Sequence, residues 1–222
     1  MRAPGLFMRG FGSARERMVE TQIEGRGVQD PRVLAAMREV PRHHFVDDAL
    51  VEEAYSDHAL PLGYGATISQ PYMVAKMSEL LAIRPGDRVL EVGAGSGYQT
   101  AVLAALGAEV FAVEIIEALV APAWARLARL GYADGVHLRC GDGSVGWPEH
   151  APYAGILVAA AAPRVPPALV SQLAPGARLV IPVGTHSQEL CVLRRRLAGG
   201  LAEQRLWPVR FVPLVGAGID GD

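Results

Sequence analysis

A strand that runs into three closely spaced glycines and then into a helix constrains this chain more than any other feature. Arg88-Val-Leu-Glu-Val92 reads as a short strand. Gly93-Ala-Gly95-Ser-Gly97 follows, and an apolar helical stretch begins at Tyr98. In a doubly wound α/β sheet such a turn lies at the carboxyl ends of the strands, where ligands bind. Glycine permits the tight turn and lets a ligand approach the backbone. The next strand, Glu109 to Glu114, ends in an acid 21 positions after Gly93. An acid about 20 residues on is placed to accept from both hydroxyls of a ribose. Glycines alone fit an ordinary tight turn; strand, helix and acid together indicate a cofactor that contains adenosine.

The rest of the chain repeats the strand–helix alternation. Further strands are expected at Val136–Cys140, Ile156–Ala160, Arg178–Val183, Leu190–Arg194 and Leu206–Val212, with helices at Tyr98–Leu106 and before Gly131. Pro122 belongs in the first turn of the latter helix or displaces its start. The pattern predicts a parallel sheet covered on both faces, closed by a β-hairpin through Ala198-Gly199-Gly200. Arg84-Pro85-Gly86-Asp87 is a strong turn signal. The segment before it is helical. Arg15–Glu24 carries Met18, Val19 and Ile23 on one side. Asp30-Pro31 caps a helix with Val33, Leu34, Met37 and Val40 inward, and Pro71–Ile83 buries Met73, Val74, Met77, Leu80 and Leu81. The organisation expected is a poorly ordered stretch at 1–12 and one domain over 13–222. Within it, 13–84 is a helical segment over the substrate and 85–222 is the core.

With 222 residues, half of them hydrophobic, the chain can bury one large α/β core. Its formal net charge of −2 implies no strong field and gives no reason to expect nucleic acid or an anionic membrane as partner. Arg194-Arg195-Arg196 is the one tight basic cluster and fits a solvated strand end. Cys140 and Cys191 stand far apart without a CxxC, which suits a reducing cytoplasm. No stretch is long and apolar enough for a signal peptide or a membrane span. A cytoplasmic monomer is the expectation. The six histidines lack zinc-ligand spacing, and no G-x-S-x-G elbow is present for acyl transfer.

A dinucleotide fingerprint needs glycine or alanine at its sixth position, where this chain has Tyr98. The spacing instead resembles the first motif of S-adenosylmethionine-dependent methyltransferases, which carries an acid before the glycines. Glu91 supplies that acid, either orienting the loop or facing the cofactor's amino group. After the third strand, Cys140-Gly141-Asp142-Gly143 brings up Asp142, which could accept from the adenine amine or simply close an Asx-turn.

Several longer segments are similar to protein-L-isoaspartate O-methyltransferases. They are Tyr64-Gly-Ala-Thr-Ile-Ser-Gln-Pro-Tyr-Met73, Arg88 to Thr100, Gly141-Asp-Gly143 with Gly146-Trp-Pro148 and Ala151-Pro-Tyr153, Val165 to Leu169, Arg178 to Gly184, and Arg210-Phe-Val-Pro-Leu214. Similarity runs from about Arg17 to Gly216. The resemblance implies a class I, Rossmann-like methyltransferase fold and S-adenosylmethionine as methyl donor, leaving S-adenosylhomocysteine. It implies isoaspartyl-containing proteins and peptides as substrates, with repair passing through a succinimide. By resemblance, Ser69 takes the active-site role, Thr67 and Ile68 line the site with it, Glu114 holds the ribose, and Asp142 and Gly143 touch the adenine. Gly93, Gly95 and Gly97 cradle the cofactor. Ser69 also stands where an N-cap for the next helix would. Two departures stand out: Ala154 replaces an acid, and Val215 replaces a small polar residue. A carboxyl methyltransferase that drives aspartimide formation on another peptide, a non-catalytic cofactor-binding protein and a nicotinamide-dependent oxidoreductase are the competing readings; Tyr98 disfavours the last.

Overall fold

In a computed structural model of the chain, residues 8–219 are described. The N-terminal layer is helical. Helix α1 spans Met8–Arg17 and continues through a wide turn, Met18–Ile23, and a tight one, Glu24–Arg26. Helix α2, Pro31–Glu39, starts as the sequence predicts: Pro31 holds the first position and the Asp30 carboxylate accepts from the Arg32 N–H. A hairpin follows, β1 Leu60–Gly63 and β2 Ala66–Ile68, then α3, Pro71–Leu81. The core alternates β3 Arg88–Val92, α4 Tyr98–Ala105, β4 Glu109–Glu114, α5 Glu117–Leu130, β5 Val136–Cys140, β6 Tyr153–Val158 and α6 Pro167–Ser171. Strands β7 Leu173–Gly184, β8 Gln188–Arg195 and β9 Leu201–Val209 complete it.

Seven strands form one sheet in the order β5-β4-β3-β6-β7-β8-β9. Pairing is parallel from β5 to β7 and antiparallel for β7–β8 and β8–β9. Strands β3 and β4 are buried on both faces, so they read as nearly continuous apolar runs. One face, with Val89, Leu157 and Val180, packs under the N-terminal helices, α3 and α4. The other, with Leu90, Val92, Ile156 and Val158, packs with Phe111, Tyr153 and Leu169. Chain order reverses at β3, whose neighbours are β4 and β6. A sheet of this kind opens a crevice at such a switch point, beyond the strand carboxyl ends.

Four differences from the sequence expectation have physical causes. Residues 8–12, expected to be poorly ordered, belong to α1, because Phe11 stacks on His43 at 4.4 Å and so ties the helix down; residues 1–7 lie outside the described part. Pro122 sits in the second turn of α5 while the helix still begins at Glu117; its ring removes only the N–H that would reach Ala118. The β1–β2 hairpin was not expected. Tyr64 and Gly65 both adopt positive φ, 53° and 75°, the conformation of a tight hairpin turn, and a tyrosine at such a φ gives no warning in sequence. Strand β9 runs over Leu201–Val209 rather than Leu206–Val212. Beyond it the Gln188 side chain receives the Phe211 N–H at 2.7 Å and donates to the Phe211 carbonyl at 3.1 Å. That contact ends the ladder and sends residues 210–215 back across the sheet. The closing hairpin, β8–β9, is present as expected.

Candidate active site

The crevice is a cavity of about 360 Å³, within the size range of sites for small ligands. Its floor is the glycine loop. The Gly93 N–H donates to the Val113 carbonyl at 2.8 Å. The Gly95 N–H donates to Glu114 Oε2 at 2.7 Å, and the Ile116 N–H to Glu114 Oε1 at 2.9 Å. Glu114 thus fastens the loop after β3 to the end of β4. A carboxylate accepts at about four lone-pair positions, so each oxygen keeps one for a diol. Gly97, at φ 86°, brings α4 close to α5: a Cβ there would meet Leu127 at 3.4 Å and Ala123 at 3.5 Å. Gly143 permits a closer approach still, since its Cβ would lie 2.5 Å from Val92 Cγ1.

Thr67, Ile68 and Ser69 form the roof, carried by β2 and the turn into α3. Ile68 is buried and Ser69 half-buried. Ser69 is not the N-cap of α3. Gln70 holds that position without a side-chain cap bond, and its amide instead donates to the Asp57 carboxylate at 2.8 Å and carbonyl at 3.0 Å. Ser69 and Thr67 line a second, outer groove as well as the cofactor cavity. The serine therefore stands at the junction of two cavities.

Two of the residues singled out by sequence do not line the cavity. Glu91 does not line the cavity. It is fully buried behind the glycine loop, and neither carboxylate oxygen has a hydrogen-bond partner. Burial pushes its pKa up to about 8; the nearby Thr100 hydroxyl opposes that rise and the charge of Glu114 adds to it. Asp142 is also absent from the cavity lining, whereas Gly143 is part of it. The Asp142 carboxylate closes an Asx-turn by accepting from the Ser144 N–H at 2.8 Å and also takes the Ser144 hydroxyl. It further accepts from the Ala217 N–H at 2.7 Å. Burial alone would raise its pKa, but these hydrogen bonds outweigh it and hold the carboxyl below its usual range.

Other wall residues were not singled out by sequence. Ile115 and Ile116 follow Glu114, Val92 ends β3 and Val113 precedes Glu114 at the end of β4. The segment after β9 supplies Val212 to Val215. It is held by hydrogen bonds of 2.8 Å from the Ala161 N–H to the Val212 carbonyl and from the Leu214 N–H to the Ala161 carbonyl. Only the family resemblance of Arg210 to Leu214 hinted at this. The cavity therefore combines an acid for a diol, apolar surfaces for a flat ring, and a hydroxyl at its mouth. That set fits an adenosine-containing methyl donor. Tyr98 is among the residues lining the cavity and is buried at 1% exposure, where a dinucleotide site requires glycine or alanine.

Comparison with known proteins gives the same direction. Residues 13–218 match the family model described as protein-L-isoaspartate(D-aspartate) O-methyltransferase. A protein-L-isoaspartate O-methyltransferase of Methylorubrum extorquens is 58% identical over 203 residues, covering 91% of this chain and 88% of that protein. One from Methanoregula boonei is 53% identical over 202 residues, covering 91% and 93%. Among solved structures, a protein-L-isoaspartate O-methyltransferase superimposes with a TM-score of 0.82 at 29% identity, over 92% of this chain and 67% of that one. A Plasmodium falciparum protein described as such an enzyme, in complex with S-adenosyl-L-homocysteine, gives 0.78 at 26% identity, over 90% and 98%. With its glycine loop, the acid Glu114 at the cavity edge and this match over nearly its whole length, the chain belongs to the protein-L-isoaspartate O-methyltransferase family.

Proposed function

We propose that this protein methylates the free α-carboxylate of L-isoaspartyl residues in damaged proteins and peptides, using S-adenosylmethionine. The observation that carries the reading is the position of Ser69 at the junction of the cofactor cavity and the outer groove. S-adenosylmethionine, when bound, supplies an electrophilic methyl group on sulfur. The residues of the chain have three tasks beside it. Glu114 and the backbone of Gly93, Gly95 and Gly97 hold the adenosine end, with Gly143 against it. Thr67 and Ile68 cover the reacting end and keep water from it. Ser69 holds the substrate.

A carboxylate with a pKa near ~4 is ionised at pH 7, so no general base is needed. What matters is alignment of one carboxylate oxygen with the methyl group, an effect worth roughly 7–11 kcal/mol in favourable cases. The Ser69 hydroxyl makes no hydrogen bond to another described residue. It is free to donate to the carboxylate's second oxygen, leaving the first to attack. The methyl ester that forms is a better electrophile than the carboxylate, so the neighbouring backbone amide nitrogen can attack its carbonyl, expel methanol and close a succinimide, which water can open to aspartate.

Glu91 lies one layer behind the loop and supports it. Asp142 acts on the cofactor through Gly143 and the segment at Ala217. Among the described residues, 13–84 form the cover over the substrate and those from 85 on the core. Two free thiols, Cys140 and Cys191, support a reducing compartment, and among the described residues no helix is long and apolar enough to cross a membrane. We take the working unit to be a cytoplasmic monomer with no nucleic-acid or membrane partner. Replacing Ser69 by alanine should lower kcat about 10- to 100-fold, the size of a lost hydrogen bond to a charged group, with cofactor affinity little changed. Full turnover in Ser69→Ala would remove the serine from this role.

A further inference from the structure

The outer groove has more structure than a passage to Ser69 requires. One wall is a polar cluster. The Arg26 guanidinium lies 3.8 Å over the Tyr72 ring and is anchored by the Asp57 carboxylate at 3.1 Å. Asp57 is in turn held by both hydrogen bonds from Gln70, the residue after Ser69. The end of β9 and the turn beyond it also line the groove, with Trp207 and Phe211. The groove volume is about 590 Å³, and Thr67 and Ser69 belong to both it and the cofactor cavity.

Arg26 and Asp57 are each more than 40% exposed, so their pairing adds little to stability. Its consequence is geometric. A guanidinium that lies on a ring and is tied at its edge is fixed in orientation and has a second flat face, and Arg26 is one of the residues that line the groove. Such a face stacks on aromatic rings, and lysine does not replace it there. Trp207 offers a second aromatic surface in the same groove.

We propose that this groove is a specificity subsite for the residue adjacent to the isoaspartate, and that it selects an aromatic side chain seated between the Arg26 guanidinium and Trp207. The inference rests on the isoaspartyl reading above and extends it from the reacting carboxylate to its neighbour. Continuity through Ser69 fixes the occupant: a chain whose carboxylate reaches the serine has its next side chain at the groove.

The test compares isoaspartyl peptides that differ only in one neighbouring residue, tyrosine, alanine or glutamate, placed before or after the isoaspartate. kcat/KM is measured for wild type, Arg26→Ala, Arg26→Lys and Trp207→Ala. Each enzyme's tyrosine-to-alanine ratio is its own internal control, so a loss of folded protein cancels. In wild type the ratio should be on the order of five- to tenfold on one side of the isoaspartate, as one stacked contact gives. It should fall towards one in all three variants. Equal rates for tyrosine and alanine peptides on both sides would overturn the subsite while leaving the isoaspartyl reading intact. So would a preference for glutamate, which would assign recognition to charge rather than stacking, or a ratio that survives in Arg26→Lys. Failure to methylate any of the peptides with cofactor binding intact would remove the isoaspartyl reading itself, and the subsite with it.

Discussion

Glu114 and Glu91 are two carboxylates near one loop with different tasks. Glu114 accepts two backbone N–H groups at the cavity edge, whereas Glu91 sits behind it with no partner for either oxygen. Replacing Glu114 by alanine removes both loop contacts and the diol acceptor. Calorimetry should show cofactor affinity down by about tenfold or more; unchanged affinity would sink the ribose assignment. For Glu91 the prediction concerns stability. Its pKa rises from the usual 4.5 to about 8 on folding. The folded chain therefore keeps a proton that the unfolded chain has already released between those values. Its contribution to stability is complete below about pH 4.5 and is lost as pH rises to 8. A glutamine at this position is neutral throughout. Glu91→Gln should match wild type in thermal unfolding near pH 5 and exceed it increasingly towards pH 8, by a few kcal/mol at most. A gap that stays constant over that range would contradict a protonated Glu91.

Among the elements, the least legible in sequence is the one that closes the site. Strands β3, β4 and β5 were legible residue for residue: Val110 to Val113 is apolar without interruption, Val89 to Val92 is broken only by Glu91, and a bounding glycine or acid follows. Glu114 was legible from spacing. Ser69 was legible only from the resemblance, since a serine before Gln70-Pro71 reads equally as a cap, and its exclusion from that role depends on where α3 begins. The segment after β9 was misread as strand. Phe211 and Val212 have strand-like side chains, and the Gln188 bonds that end the ladder come from 23 residues away. Asp142 shows the same limit. Its motif gave an acid near the adenine, but its partner, the Ala217 N–H, lies 75 residues on. This contact predicts that Asp142→Ala releases the C-terminal segment. Amide exchange at Ala217 and Gly218 should accelerate, and cofactor affinity should fall through loss of the wall at Val212 to Val215. Weakened binding with exchange unchanged would instead favour direct contact between Asp142 and the adenine.

At the scale of the molecule, the sheet supplies the crevice and three sequence-distant segments enclose it. The β1–β2 hairpin with Ser69 comes from the N-terminal cover, the glycine loop from the middle of the chain, and residues 212–215 from the far side of β9. A cavity built this way should tighten on ligand, and the groove beyond Ser69 should accept a peptide only when its reactive carboxylate points inward. An aspartyl peptide carries its carboxylate on one short side chain, and an isoaspartyl peptide carries it directly on the α-carbon. The most direct measurement is to incubate the protein with S-adenosylmethionine labelled in its methyl group and two matched peptides, one isoaspartyl and one aspartyl, and count base-labile methyl ester. The account predicts label on the isoaspartyl peptide alone. Label on both peptides alike, or on neither while the protein still binds S-adenosylmethionine, would contradict it.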